Sequence, residues 1–156
     1  MKYDFLEGKV VVLDIDGVMC CYRFGINTMN AVPEKDYQEY IKNHNPYLMA
    51  RPLQTFIDLV DEIGADNVYV CSKSNSAAED AYKKKFVHDH YPKIPNDHIF
   101  LVMPGETKLE VLLNEVRHAA GCRTRDLVMI DDSTSNLTEI EDNSDISCYH
   151  ISSFLN

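Results

Sequence analysis

Asp14 and Asp16 stand two residues apart at the end of the run Val11-Val12-Leu13, with Gly17 directly behind them. Carboxylates this close repel one another, so the pair costs free energy unless a cation or a reaction uses the charge. Three further positions carry residue types suited to phosphate or metal chemistry. Ser72 closes the apolar run Val68-Tyr69-Val70-Cys71 and is followed by Lys73-Ser74-Asn75. Lys108 falls in what reads as the first turn of a helix, where the helix dipole disfavours a cation unless an anion lies near. Asp131-Asp132 closes the run Leu127-Val128-Met129-Ile130 with a second acidic pair. Singly, each has an ordinary explanation: aspartates and serines cap turns and helices, and lysines are solvated surface charges. Their joint order is what points to chemistry.

Those residues need elements to bring them together. Five strands are predicted, over Val10–Ile15, Asn67–Ser72, His98–Met103, Leu127–Asp131 and Ile146–Ile151. Helical patterns lie between them. Pro52–Ile63 presents Leu53, Phe56, Ile57, Val60 and Ile63 on one face, with Pro52 at the first turn and Gly64 as the stop. Ser76-Ala77-Ala78-Glu79 reads as a capping box opening a helix toward Val87, and Thr107-Lys108-Leu109-Glu110 as another, ending at Gly121. A short helix is expected over Ser135–Glu141. Strands alternating with helices predict a parallel sheet covered on both faces, a three-layer α/β/α Rossmann-like fold in one domain. Such sheets bind ligands at the C-terminal ends of their strands, where the candidate residues fall. Residues 19–50, with a helix candidate at Glu34–Asn43, read as an insertion after the first strand, either a small lid or a surface loop.

Composition narrows the partners. A chain of 156 residues with a net charge of -10, from 25 acidic against 15 basic residues, lacks the basic excess of a nonspecific nucleic-acid or membrane-surface binder. Cys20, Cys21, Cys71, Cys122 and Cys148 form no C-x-x-C pair, which points to reduced thiols. The opening residues are too polar for a signal peptide and no apolar run reaches membrane-spanning length, so a cytoplasmic protein is expected.

In this order, Asp14-Ile15-Asp16-Gly17, Ser72, Lys108 and Asp131-Asp132 resemble the four dispersed motifs of the haloacid-dehalogenase-like (HAD) phosphohydrolases. The resemblance runs from Val10 to about Asn136. It implies that Asp14 is a nucleophile forming an aspartyl-phosphate and that Asp16 is the general acid and base. It implies Mg²⁺ as cofactor, held by the Asp14 carboxylate, the Asp16 carbonyl and Asp132, with Asp131 a further ligand or a partner of one. Asn136 would hydrogen-bond a metal-bound water. Ser72 and Lys108 would bind the phosphoryl oxygens, with Lys73 and turn amides near Asp16 and Lys73 as additional donors. The motif style is closest to the small-cap deoxyribonucleotidase-like and polynucleotide-phosphatase-like branches. A small phosphorylated substrate, nucleotide-like, follows from that, although Lys73-Ser74 departs from the small residue and proline usual in the nucleotidases.

Two other classes use similar residues. A response-regulator-type phosphoacceptor module also has an acidic pair, a Ser/Thr, a Lys and Mg²⁺, but carries its acceptor aspartate at the end of a middle strand. A non-catalytic protein could use the same site to hold a phosphorylated partner. Elsewhere, His88-Asp89-His90 reads as a solvated helix end rather than a metal pair, and Cys71 as a core residue. Cys20 and Cys21 either line a site entrance or pack. Arg51 either reaches a substrate anion or caps the insertion. Glu139–Asp145 reads as solvated surface.

Overall fold

A computed structural model describes residues 2–21 and 39–155. The main sheet has five strands: β1 (Val10–Leu13), β4 (Val68–Lys73), β5 (Ile99–Val102), β6 (Leu127–Asp131) and β7 (Ser147–His150). All pair in parallel, in the order β5-β4-β1-β6-β7. A small antiparallel pair, β2 (Cys20–Cys21) with β3 (Arg51–Pro52), sits beside it. The strands richest in continuous apolar sequence take the centre. β1, β4 and β6 are buried on both faces, whereas β7 is half-buried at an edge.

Helices cover both faces. On one, α1 (Gln54–Ile63) and α2 (Ala77–His90) bring Phe56, Leu59, Val60, Phe86 and Val87 against Val11, Leu13, Val68, Val70 and Ile130. On the other, α3 (residues 108–120) and α4 (Thr134–Asp142) bring Val111, Leu112, Val116, Leu137 and Ile140 against Val12, Tyr69, Cys71 and Met129. α3 is α-helical over Lys108–Val111, π-helical over Leu112–Val116 and α-helical again over Arg117–Ala120. The alternation of side chains along each strand supplies both cores: Val11 and Leu13 face one layer, Val12 the other. The expected α/β/α architecture is the one observed.

Some local expectations need correction. Pro52 is not in the first turn of α1; it pairs with Cys20 in the small sheet, and Leu53 is the N-cap. The Ser76 capping box is half formed. Ser76 Oγ accepts from the Glu79 N–H at 3.2 Å, but the Glu79 carboxylate bonds the Asn75 N–H instead, at 2.8 Å. α2 runs past Val87 to His90. The Thr107–Glu110 box is complete, and Gly121 ends α3 in the left-handed conformation, φ 63°.

The β2–β3 pair stitches the two ends of the insertion together where it leaves and rejoins the core. Half of the helix expected over Glu34–Asn43, residues 34–38, lies outside the described residues; of the other half, 39–41 are helical. No helix among the described residues is long and apolar enough to cross a membrane.

The sheet order fixes where a ligand belongs. From β1 the chain builds β4 and β5 on one side, then crosses back to build β6 and β7 on the other. The connections from β1 and β6 therefore diverge, opening a crevice at the C-terminal ends of those strands. Asp14 and Asp131-Asp132 are delivered there.

Candidate active site at the strand ends

β1 ends one residue before Asp14, whose N–H still bonds the Ile130 carbonyl at 3.1 Å, so its side chain leaves at a fixed point beside β6. The following loop closes on itself: the Val18 N–H reaches the Ile15 carbonyl and the Gly17 N–H the Cys20 carbonyl, at 3.2 and 3.1 Å. Gly17 has φ 80°, in the left-handed region that glycine tolerates. A Cβ built there would lie 2.1 Å from Oδ2 of Asp132. The glycine therefore makes the turn and also leaves the space the Asp132 carboxylate occupies.

Asp14, Asp131 and Asp132 offer carboxylate oxygens within 4.8 Å of one another. Lys108, at the first position of α3, inserts its ammonium among them. Its Nζ lies 2.6 Å from Asp131 Oδ2 and 3.1 Å from Asp14 Oδ1, with both ion pairs buried. The anion expected near this lysine is thus a pair of protein carboxylates. The other Asp131 oxygen accepts the Ser133 N–H at 2.9 Å, so Asp131 is engaged on both sides. The Asp132 side chain is exposed.

The charge states follow from this packing. Burial pushes the Asp14 carboxyl up to about 7; Lys108 opposes the rise, while Asp131 and Asp16 add to it. Burial also works against ionised Asp131, but the Lys108 charge and hydrogen bond and the Ser133 N–H outweigh it and hold Asp131 below the ordinary carboxylate value. Asp132 is raised, by partial burial and by its acidic neighbour. For Lys108 burial favours the neutral amine, yet Asp14 and Asp131 overcome it and keep the ammonium well above its ordinary value. Three carboxylates facing one ammonium leave an excess of negative charge.

A second lysine lies across the sheet. Lys83, on α2 and 1% exposed, bonds Ser72 Oγ and pairs with Asp16 Oδ2, each at 3.0 Å; it also bonds the Lys73 carbonyl. Asp16 Oδ2 additionally accepts from the Tyr47 hydroxyl at 3.2 Å. The repelling pair that opens the site is therefore split between two cations. Lys108, from one helical layer, takes Asp14; Lys83, from the opposite layer, takes Asp16.

Asp14, Asp16, Ser72, Lys73, Lys108, Asp131, Asp132 and Asn136 all lie at this edge of the sheet. The Asp16 carboxylate stands outside the three-carboxylate cluster. Lys73 is exposed and donates to Asn136 Oδ1 at 3.1 Å, bridging from β4 to α4, and Asn136 Nδ2 lies 3.5 Å from Asp131 Oδ2. The turn amides after Lys73 are not free donors. The Ser74 N–H is committed to the Val102 carbonyl at 2.9 Å and the Asn75 N–H to Glu79 at 2.8 Å. His88-Asp89-His90 is the end of α2, with Asp89 paired to Lys85 at 2.5 Å. Cys71 is core, and burial raises its thiol to about 12. Cys20 is buried and its Sγ lies 3.9 Å from Asp16 Oδ1; Arg51 is exposed on β3.

Lys83 and Tyr47 escape a reading of the sequence alone. Lys83-Lys84-Lys85 looks like a solvated helix face. The available signal is helical spacing: Glu79, Lys83, Phe86 and Val87 form one stripe, and Phe86 and Val87 must face the sheet, so Glu79 and Lys83 are buried with them. Tyr47 lies in the aperiodic insertion. Asn45 caps its short turn by accepting the Tyr47 N–H at 2.9 Å, and the ring packs 6.1 Å from that of Phe86.

An oxygen-only donor set carrying excess negative charge suits a hard divalent cation such as Mg²⁺. Gly17→Ala tests how the turn supports that set. The substitution should cost about 1–2 kcal/mol for the left-handed backbone and turn the Asp132 carboxylate out of its place. The variant should therefore fold yet, if the cluster takes a divalent cation, show a smaller rise in melting temperature than wild type when Mg²⁺ is added.

No protein-family model and no curated protein matches the chain.

Proposed function

We propose that the chain is a Mg²⁺-dependent phosphomonoester hydrolase of the HAD-like kind, acting through an aspartyl-phosphate on Asp14. One observation carries the reading. Two buried lysines, a serine hydroxyl and a cluster of carboxylates converge at the topological switch point, with more negative charge than the lysines balance. Phosphoryl transfer needs those parts: an in-line nucleophile, cations for the equatorial oxygens, and a proton for the leaving group.

Asp14 and Asp132 are the residues that would hold the ion directly, together with the Asp16 carbonyl. Asp131, spent on Lys108 and Ser133, serves to hold the lysine. When bound, Mg²⁺ supplies charge neutralisation to the phosphoryl oxygens. Lys108 donates two of its three N–H bonds to Asp14 and Asp131, leaving the third for a phosphoryl oxygen. Ser72 Oγ accepts from Lys83, which has no lone pair to offer, so the Ser72 hydroxyl proton is available to a second phosphoryl oxygen.

In the first step an Asp14 carboxylate oxygen forms a bond to phosphorus as the ester P–O bond breaks. A proton passes from solvent through Asp16 to the departing oxygen. In the second step water attacks phosphorus, Asp16 takes a proton from it, and the Asp14–phosphorus bond breaks, releasing inorganic phosphate. The substrate on this reading is a small phosphorylated metabolite, with a nucleotide as the finer assignment.

The sheet order counts against the phosphoacceptor-module alternative. Counting only the five strands of the main sheet, the order is third, second, first, fourth, fifth, the Rossmann order, whereas receiver-type folds follow the flavodoxin order with the third strand central.

Turnover of p-nitrophenyl phosphate and of a panel of nucleotides, sugar phosphates, phosphopeptides and 3′-phosphorylated oligonucleotides tests the proposal. Release of phosphate is expected with Mg²⁺ and is lost with EDTA. The metal should also stabilise the fold, by about 2.7 kcal/mol at a hundredfold excess over its Kd. An unchanged melting temperature across a Mg²⁺ titration, together with no turnover of any substrate, would contradict the reading.

A further inference from the structure

Lys83 is buried at the centre of the site, yet the phosphoryl-transfer steps above assign it nothing. Its ammonium has three N–H bonds and three close acceptors: Asp16 Oδ2 and Ser72 Oγ, each at 3.0 Å, and the Lys73 carbonyl. Glu79 Oε1, at 3.8 Å, adds charge without close contact. With 1% exposure and every donor committed within the protein, Lys83 has nothing left for a substrate oxygen. Lys108 differs in this respect, having two close acceptors.

We infer that Lys83 is a positioning residue that locks the proton-transfer carboxylate, Asp16, and the phosphate-binding hydroxyl, Ser72, into one rigid frame. It fixes Asp16 by one oxygen only. Oδ2 accepts from both Lys83 and the Tyr47 hydroxyl, whereas among the described residues Oδ1 meets only the weakly bonding Cys20 thiol at 3.9 Å. Oδ1 is thus the oxygen left to carry the proton. By accepting from Lys83, Ser72 is also prevented from turning its proton toward α2. The same ammonium bonds the Lys73 carbonyl and so fixes the end of β4 that carries Ser72. One cation thereby sets the distance between the group that binds the phosphoryl oxygens and the group that protonates the leaving oxygen.

The role assigned to Asp16 rests on the phosphohydrolase reading; the positioning of Asp16 and Ser72 does not. The experiment compares Lys83→Gln and Lys83→Met with wild type on phenyl phosphate and p-nitrophenyl phosphate, with Mg²⁺. The two esters have similar shapes, but phenoxide needs protonation far more than nitrophenoxide. If Lys83 holds the proton donor, kcat/KM, which reports the step that expels the phenol, falls roughly tenfold for p-nitrophenyl phosphate and roughly 10³-fold for phenyl phosphate. Equal losses on the two esters, or no loss, overturn the inference and leave the phosphohydrolase reading standing. Wild type inert on both esters removes that reading instead. Crystal structures of wild type and Lys83→Gln then decide the inference by themselves. Asp16 and Ser72 in new rotamers in the variant support it; both side chains unmoved overturn it. If neither variant folds, Lys83 is a folding residue and the inference is wrong.

Discussion

Asp14→Asn is expected to abolish turnover, by on the order of 10⁴-fold or more in kcat, while the protein remains folded. The amide has the size and shape of the carboxylate but neither its charge nor its nucleophilicity. Stability should change little, by about 1 kcal/mol, because two effects oppose each other. The variant loses the 3.1 Å ion pair with Lys108, but Lys108 keeps Asp131 at 2.6 Å. It also relieves a buried carboxylate that Asp131 and Asp16 both repel. Steady-state kinetics beside a thermal melt separates the two readouts. Near wild-type turnover in this variant would remove Asp14 from the nucleophile role.

Lys108→Met should produce the largest loss of stability at the site, with loss of activity beside it. The ammonium stands between Asp14 Oδ1 and Asp131 Oδ2, and Asp131 is fully buried. Methionine fills the space and strands two adjacent carboxylates in a low dielectric. Breaking a buried pair from one side in this way costs about 3–5 kcal/mol, which is roughly 10 °C in melting temperature for a domain of this size. Adding Asp14→Asn to Lys108→Met should restore part of the loss, because one of the stranded charges is then gone. Denaturant unfolding of the two single variants and the double variant measures that coupling. A cost below about 1 kcal/mol for Lys108→Met, or strict additivity in the double variant, would mean that the lysine does not hold the carboxylates as described.

Much of this arrangement could be read from the chain, because its physical causes are local. The runs that became β1, β4 and β6 are apolar on both faces, which only a covered parallel sheet accepts. Thr107, Glu110 and Gly121 bound α3 through short-range capping, which leaves its mark within a few residues. What escaped reading depends on contacts distant in sequence. Lys83 is 67 positions from the carboxylate it pairs with in Asp16, by subtraction of their residue numbers, and its burial comes from the stripe it shares with Phe86 and Val87. Tyr47 reaches Asp16 because β2 and β3 fold the insertion back onto the core, and two-residue strands have no periodicity to detect. Pro52 has the usual preference for a helix start, yet the antiparallel pairing with Cys20 claims it. The division between Asp131 and Asp132 was likewise invisible, since adjacent residues at a strand end point in opposite directions. One meets Lys108 and the other lies over Gly17.

The paired aspartates of the β1 loop begin as an electrostatic cost and end as two separately neutralised groups, each held by a lysine from its own side of the sheet. In the proposed reaction one of them, Asp14, bonds covalently to the phosphoryl group. Rapid acid quench of wild-type protein during turnover of p-nitrophenyl phosphate with Mg²⁺, followed by peptide mass mapping, tests this directly. The account predicts an adduct of one phosphoryl group on the peptide containing Asp14, at Asp14 itself, and its absence in Asp14→Asn. Steady turnover with no adduct at any quench time, or an adduct on another residue, would contradict it.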